Sequence, residues 1–137
     1  ILKNILSEPS EAIRLAGIEL LSFKAHQLSD DELLEISKDV LSDFRESVVL
    51  GIIQILQRRD GCGITNSLAE IAHKGSVKTS HAALLALGSI GTVYSKVKLS
   101  ILCQTLPHGP RQEMAKKQLF HGYHESKELK EMNLASI

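Results

Sequence analysis

Apolar residues recur every three or four positions along most of the chain, and no stretch alternates apolar and polar residues as a half-buried strand would. This spacing predicts an all-helical protein. Breaks rich in glycine, proline or small polar residues divide the apolar stretches. Helices are expected around 13–21 and over about 30–41, 44–58, 65–73, 77–90, 94–106 and 110–120, with a short last helix from Ser126.

Residues that cap helices mark several of these boundaries. The segment Ser29–Glu32 is a capping box, in which the serine oxygen accepts the amide three residues on and the glutamate reaches back to the cap. Asp43 and Thr65 stand where the N-caps of the next two helices are expected. Gly75 is expected to end the second of these helices as a left-handed cap, and Gly91 is expected to end the helix after it.

A similar unit occurs four times at a nearly fixed period. An apolar residue, a base, any residue and a small residue introduce an apolar helix in the first three units, and the fourth unit keeps the base. In chain order the bases are Arg14, Arg45, Lys78 and Arg111, and they are 31, 33 and 33 residues apart. Periods of about 20 to 50 residues are typical of helical arrays in which neighbouring units share a core.

The unit resembles a HEAT-like repeat of the short variety, about 31–33 residues long. The resemblance rests on residues 9–21 and, more weakly, on residues 76–87. It implies a single domain over 1–137, folded as a right-handed α-α superhelix (a solenoid) of about four antiparallel helix pairs. The departures are Phe44 at the first apolar position and a polar fourth unit. Armadillo repeats, the nearest rival, are longer, at about 40 residues or more.

In such an array the first helix of each pair supplies the core, and small residues let neighbouring helices approach. The residues expected to be buried are Leu20, Leu21, Ile52, Ile55, Leu56, Leu84, Leu85 and Leu87. The small residues expected at helix contacts are Ala16, Ser47, Gly51, Ala82, Ala83 and Gly88.

The two ends of the chain differ in character. The apolar stretch 1–6 looks like the last turns of a preceding helix, so the chain is expected to be a fragment of a longer array. The last unit is rich in lysine, as a polar terminal cap would be. Its lysines are Lys116, Lys117, Lys127 and Lys130.

Composition narrows the class of protein. Of 137 residues, 43% are apolar and 23% charged, with no apolar run long enough to span a membrane, so a folded cytoplasmic domain is expected. Sixteen basic and sixteen acidic residues cancel, which disfavours a nucleic-acid binder with a dominant basic face. The charges are nevertheless segregated. Residues 1–68 carry seven bases and eleven acids, net −4, and residues 69–137 carry nine bases and five acids, net +4.

Candidate catalytic and metal chemistry is weak. His121 and His124 with His108 and Cys103 are suitable zinc ligands, but Gly122 breaks the helical spacing between the first two. Cys103 belongs to an apolar helix stripe and is expected to be a buried thiol. Cys62 lies between two glycines and is expected to be exposed. The sequence therefore predicts no metal, no cofactor and no catalytic residue.

The sequence favours a non-catalytic scaffold or interaction module that binds a protein or peptide. In a HEAT-like array the second helices line the concave face, and the helical wheel of residues 30–41 points its apolar side inward, with Leu33, Leu34, Ile36, Val40 and Leu41. The residues expected to meet the partner are Asp31, Glu35, Lys38, Asp39, Asn66, Glu70, His73, Lys74, Lys96 and Lys98.

Three other interpretations remain open from the residues. The outward charges could be no more than a solvated face. The chain could be an accessory part of an enzyme, because short HEAT-like repeats resemble those of bilin-lyase-type proteins. A nucleic-acid-binding array would need a continuous basic track, which only six lysines approach, and 4% aromatic residues disfavour stacking on single strands. The six are Lys74, Lys78, Lys96, Lys98, Lys116 and Lys117.

Overall fold

A computed structural model describes residues 2–43 and 45–120, and this part of the chain contains helices and turns but no strand. The first four helices are α1 (Leu2–Ser7), α2 (Glu11–Lys24), α3 (Asp30–Leu41) and α4 (Glu46–Leu56). They are followed by α5 (Cys62–Lys74), α6 (Val77–Ile90) and α7 (Val93–Thr105), and by α8 over 110–120. A single turn of 3₁₀-helix, Ala25–Gln27, continues α2. The short helix expected from Ser126 lies outside the described residues.

The helices pack in two rows. In one row α2 contacts α4, and α4 contacts α6; in the other, α1, α3, α5 and α7 each contact the next. The rows are joined where α1 packs on α2, α3 on α4 and α5 on α6. The last helix, α8, packs onto α6 at the end of the first row. The close approach is at Gly88 of α6, where an added Cβ would lie 3.2 Å from the side-chain carbon Cδ of Gln118 on α8. The all-helical prediction is thus confirmed.

The core lies between the two rows. Both rows contribute, with Leu21, Ile52, Leu84 and Leu87 from the first and a set of aliphatic residues from the second. The fully or nearly fully buried members from the second row are Leu6, Leu33, Val40, Ile64, Leu68 and Leu99. Six of the eight residues expected to be buried are buried: Leu21, Ile52, Ile55, Leu56, Leu84 and Leu87.

The two exceptions are Leu20 and Leu85, which are 39% and 48% exposed. Each lies next to a buried leucine in sequence, and successive helical residues point about 100° apart. A helix with one packed side therefore cannot bury both members of such a pair unless a further neighbour covers the second. For Leu85 the buried side of α6 is taken by Leu84 and Leu87.

Three of the expected caps are wrong. Asp43 does not cap α4; the N-cap is Arg45, whose side chain makes no hydrogen bond that caps the helix. Helix α5 begins at Cys62 after Gly61, so Thr65 lies inside its first turn and donates its hydroxyl to the Gly61 carbonyl. Gly75 ends α5 in an extended conformation, with φ −74° and ψ 174°, and not in the left-handed one.

The other caps are confirmed. Ser29 and Glu32 form both hydrogen bonds of the capping box, at 3.2 Å each. Gly91 ends α6 with φ 65°, a left-handed conformation that costs glycine little. Ser76, at the predicted start of α6, caps it by accepting the Thr79 amide.

The four periodic bases do not occupy equivalent helix positions. The N-caps of α2, α4 and α6 are Ser10, Arg45 and Ser76, so the helix starts are 35 and 31 residues apart. Arg14 lies one turn inside α2, whereas Arg45 is itself a cap. Caps and not bases therefore define which residues are equivalent between the first-row helices.

Candidate partner-binding face

The ten residues expected to meet a partner all belong to the second-row helices α3, α5 and α7, where eight are exposed and Lys96 and Lys98 are half-buried. The outward side of these helices is the candidate surface and is called the partner-binding face below. On α3 the apolar residues point inward: Leu33 and Val40 are buried, and Leu34, Ile36 and Leu41 are half-buried. The polar residues of that helix point outward, as the helical wheel predicts. The exposed ones are Asp31, Glu35, Lys38, Asp39 and Ser42.

Helix α5 forms a polar ridge with a pocket on either side. Its outward residues Asn66, Glu70, His73 and Lys74 are all exposed. One pocket, of about 630 Å³, lies toward α3 and α4. Its walls include the apolar side chains Leu34, Leu41, Val49 and Ile71, and its polar lining includes Lys38, Glu70 and Lys74.

The second pocket, of about 490 Å³, lies between α5 and α7. Glu70 and Lys74 line both pockets, so the two flank the same ridge. Asn66 and His73 join them from α5, and α7 contributes Lys98 together with Ile101, Leu102 and Thr105. Six of the ten expected residues therefore line one of the two pockets. They are Lys38, Asn66, Glu70, His73, Lys74 and Lys98.

Sequence reasoning missed an aliphatic stripe on α7, formed by Val93, Val97 and Ile101 and called the α7 stripe below. These side chains are 80%, 48% and 45% exposed, although the opposite side of the helix is buried through Ser95, Leu99 and Leu102. The signal was present as a spacing of four residues, repeated once. The apolar pair Leu99 and Leu102 is enough to predict the helix, so the second apolar spacing on its other side predicts nothing separate.

Polar contacts hold α5 and α7 beside each other. The Tyr94 hydroxyl of α7 lies 2.7 Å from Oδ1 of Asn66 on α5, as its hydrogen-bond donor. The Lys98 ammonium lies 5.4 Å from the centre of the Tyr94 ring, within the range of a cation–π contact. Lys74 pairs with Glu70 at 3.2 Å along the ridge. Among the described residues of α5 and α7, this basic end of the face carries three lysines, Lys74, Lys96 and Lys98, and one glutamate, Glu70.

The acidic end is less open than its sequence suggests. Lys3 Nζ lies 3.0 Å from Glu35 Oε1, and this hydrogen bond, with the charge on Lys3, lowers the pKa of Glu35. Asp30 pairs with Arg59 at 2.9 Å. Among the described residues of α3, Asp31, Glu32 and Asp39 are exposed without an ion pair, and Glu32 accepts the Ser29 amide in the capping box.

Asp43 leaves the surface altogether, since its side chain is 1% exposed. One carboxylate oxygen lies 2.7 Å from Arg14 Nη1 and 2.8 Å from Arg45 Nη2. The hydrogen bonds from Arg45, with help from Arg14, hold the pKa of Asp43 well below its usual range against the effect of burial. Arg14 also donates to the carbonyls of Ser7 and Glu8, so this cluster fastens the turn after α1 to the turn before α4.

Metal and thiol chemistry find little support in the described part. No group of three or more His, Cys, Asp or Glu side chains there is placed to hold a metal ion. His108 Nδ1 lies 2.9 Å from Gln112 Oε1, and His121 and His124 lie outside the described residues. Burial raises the pKa of the half-buried Cys103 thiol, which keeps it protonated, while Cys62 is exposed as expected.

Neither a family model, nor a curated protein, nor a solved structure matches this chain. A separate property concerns membranes. None of the helices in the described part combines the length and the apolar character needed to cross a bilayer.

Proposed function

We propose that this protein is a non-catalytic, HEAT-like module whose helix pairs form a right-handed superhelix and which binds a protein or peptide on the partner-binding face. The observation that carries the proposal is the α7 stripe. An aliphatic stripe on the side of a helix opposite its buried side contributes nothing to the core, and clustered exposed apolar side chains mark interaction sites in many proteins.

The position of the stripe supports the same conclusion. Ile101 belongs both to the stripe and to the wall of the pocket between α5 and α7. A segment lying on the stripe would therefore place one side chain into a concave feature lined by polar groups. Interfaces commonly combine such a buried apolar centre with a polar rim.

Charge defines the chemistry of the partner. The surface around the stripe carries Lys74, Lys96 and Lys98 with Glu70 as the acid, so a basic segment would be repelled. We infer that the partner is an amphipathic segment with aliphatic side chains on one side and aspartate or glutamate beside them. Complementary charge of this kind chiefly raises the association rate and fixes orientation.

Two synthetic peptides test this chemistry directly. Both have the same leucine-bearing helical side, and their polar positions are glutamate in one and lysine in the other. We expect fluorescence anisotropy to show binding of the glutamate peptide to the protein and weaker or no binding of the lysine peptide. The difference between the two should shrink as salt is added, because the Debye length falls from about 8 Å at physiological ionic strength to about 3 Å at 1 M.

A pair of matched variants locates the binding site. Val97→Glu places a charge on the α7 stripe, and Leu85→Glu places one on α6 in the first row, at an identical exposure of 48%. We expect Val97→Glu to abolish binding of the glutamate peptide and Leu85→Glu to leave it unchanged, with both proteins folded. Equal effects of the two variants, or equal binding of the two peptides, would contradict the proposal.

A further inference from the structure

A second aliphatic stripe lies on α2, away from the partner-binding face. It consists of Ile13, Ala16, Leu20 and Phe23, called the α2 stripe below, and its three large members are 43%, 39% and 71% exposed. The spacing of three, four and three residues puts all four on one side of the helix. The buried residues of α2, Gly17, Ile18 and Leu21, lie elsewhere on its circumference.

Alignment of the first-row helices by their N-caps shows what this side of α2 corresponds to. With Ser10, Arg45 and Ser76 superposed, two exposed positions of the α2 stripe coincide with buried positions of α4 and α6. One equivalent set is Ile13, Val48 (0% exposed) and Thr79 (4%), and the other is Leu20, Ile55 (2%) and Ala86 (0%).

In α4 this side contacts the preceding helix of the same row. A Cβ on Gly51 would lie 3.2 Å from Ile18 Cγ2 of α2, and the Ser47 hydroxyl donates to Glu11 Oε1 of α2 at 2.6 Å. The position of Gly51 is Ala16 in α2 and Ala82 in α6, small residues in all three helices. The α2 stripe, which no first-row helix covers among the described residues, is thus equivalent to the side of α4 that packs against a first-row helix.

The packing of α1 indicates where such a helix would come from. Helix α1 contacts α2 and α3 in the way that α3 contacts α4 and α5, which makes α1 a second-row helix. The first-row helix of its pair would lie against α1 and beside the α2 stripe. We propose that the α2 stripe is an interface for the first helix of a preceding pair in the same polypeptide, with a large aliphatic residue, equivalent to Ile18, seated over Ala16.

A graft built from the protein itself tests this interface. The spacing of 35 residues between Ser10 and Arg45 makes residue 36 the counterpart of residue 1. A copy of residues 10–35 fused directly before Ile1 therefore supplies a first-row helix in register. We expect the extended protein to melt at least about 4 °C above the original chain, to gain helical ellipticity and to bind less of a hydrophobic dye.

Three controls decide whether the stripe is responsible. In the first control the added copy carries Ile18→Asp, and we expect no gain in melting temperature. In the second control the added copy is unchanged but Leu20 of the original α2 is replaced by lysine, and we again expect no gain. Without the graft, Leu20→Lys should leave the melting temperature nearly unchanged, since the side chain is exposed. Equal gains for all grafts, or a graft that adds no helical signal, would overturn the proposal.

A second copy of the chain is the competing occupant of the α2 stripe. Sedimentation of the ungrafted chain over a range of concentrations separates the two sources. A monomer throughout agrees with the proposal. A dimer that Leu20→Lys dissociates would show that the stripe takes another copy, and would overturn the assignment to a preceding pair.

Discussion

Asp43 holds together segments that are far apart in sequence. Replacing it by asparagine removes the carboxylate that the guanidinium groups of Arg14 and Arg45 share, and both groups are largely shielded from solvent. Removing one partner of a buried ionic cluster costs about 3 kcal/mol or more. We expect Asp43→Asn to lower the free energy of unfolding by about that amount in a urea titration at neutral pH. Asp31→Asn, an exposed carboxylate on α3, is the control and should change it little.

The same residue predicts a pH dependence with a definite sign. The pKa of Asp43 is lower in the folded protein than in the unfolded chain, so its ionisation stabilises the fold above the ordinary aspartate pKa of about 4. That contribution is lost as the pH falls below this value. We expect the stability difference between wild type and Asp43→Asn to narrow between neutral pH and about pH 3. A constant difference over this range would contradict the ionic role of Asp43.

The buried centre of α4 provides a further prediction about a single residue. Ile52 is fully buried, so Ile52→Asp would place an unpaired charge in an aliphatic core and should cost at least about 3 kcal/mol. Leu85→Asp introduces the same group at a half-exposed position of α6 and should cost about 1 kcal/mol or less. Thermal melts of both variants check the register of α4. An unchanged melt for Ile52→Asp would show that register to be wrong.

At the scale of helices, side-chain caps contribute where the sequence contains a complete motif. Ser29 accepts the Glu32 amide, and Glu32 accepts the Ser29 amide. We expect Ser29→Ala to destabilise the protein by about 1 kcal/mol in urea unfolding. Ser42→Ala is the control, since Ser42 is exposed at the other end of α3 and is not its N-cap. Equal effects of the two substitutions would mean that the capping box does not stabilise α3.

Helix boundaries could be predicted where one local motif decides them, and not where a distant residue competes. The capping box of Ser29 and the helix end at Gly91 depend on residues within one turn, and both are as expected. Aspartate is a common N-cap residue, yet Asp43 does not cap α4. Its carboxylate instead accepts hydrogen bonds from Arg45 and from Arg14, which is 29 residues away in sequence. No local pattern reports such a contact, so the start of α4 was misplaced.

Exposure was harder to predict than helical structure, for a related reason. The period of the apolar residues places Leu20 and Val97 on helices, but two apolar sides of one helix look alike in sequence. Which side is buried depends on whether a neighbouring helix lies there. The same ambiguity hid both the α2 stripe and the α7 stripe, the two surfaces on which the proposed interactions rest.

At the scale of the whole molecule, the charge gradient is modified by folding. The acids near α3 include Asp30, Glu35 and Asp43, which all form ion pairs, and the lysines of α7 lie on the same helix as an exposed aliphatic stripe. At the acidic end a basic group of a partner would therefore meet chiefly Asp31 and Asp39. The larger part of the binding energy is expected at the α5–α7 end of the partner-binding face, where charge and apolar surface coincide.

The most direct test of this account is a map of the surface that an unbiased ligand selects. Peptides enriched from a displayed random library on the wild-type protein would be titrated into isotope-labelled protein, and the backbone amide shifts followed by NMR. We expect enriched peptides to combine aliphatic and acidic residues, and the shifts to cluster on Asn66, His73, Val97 and Ile101. Peptides without acidic residues, or shifts confined to the first row of helices, would contradict the claim that the face formed by α3, α5 and α7 is where this protein binds its partner.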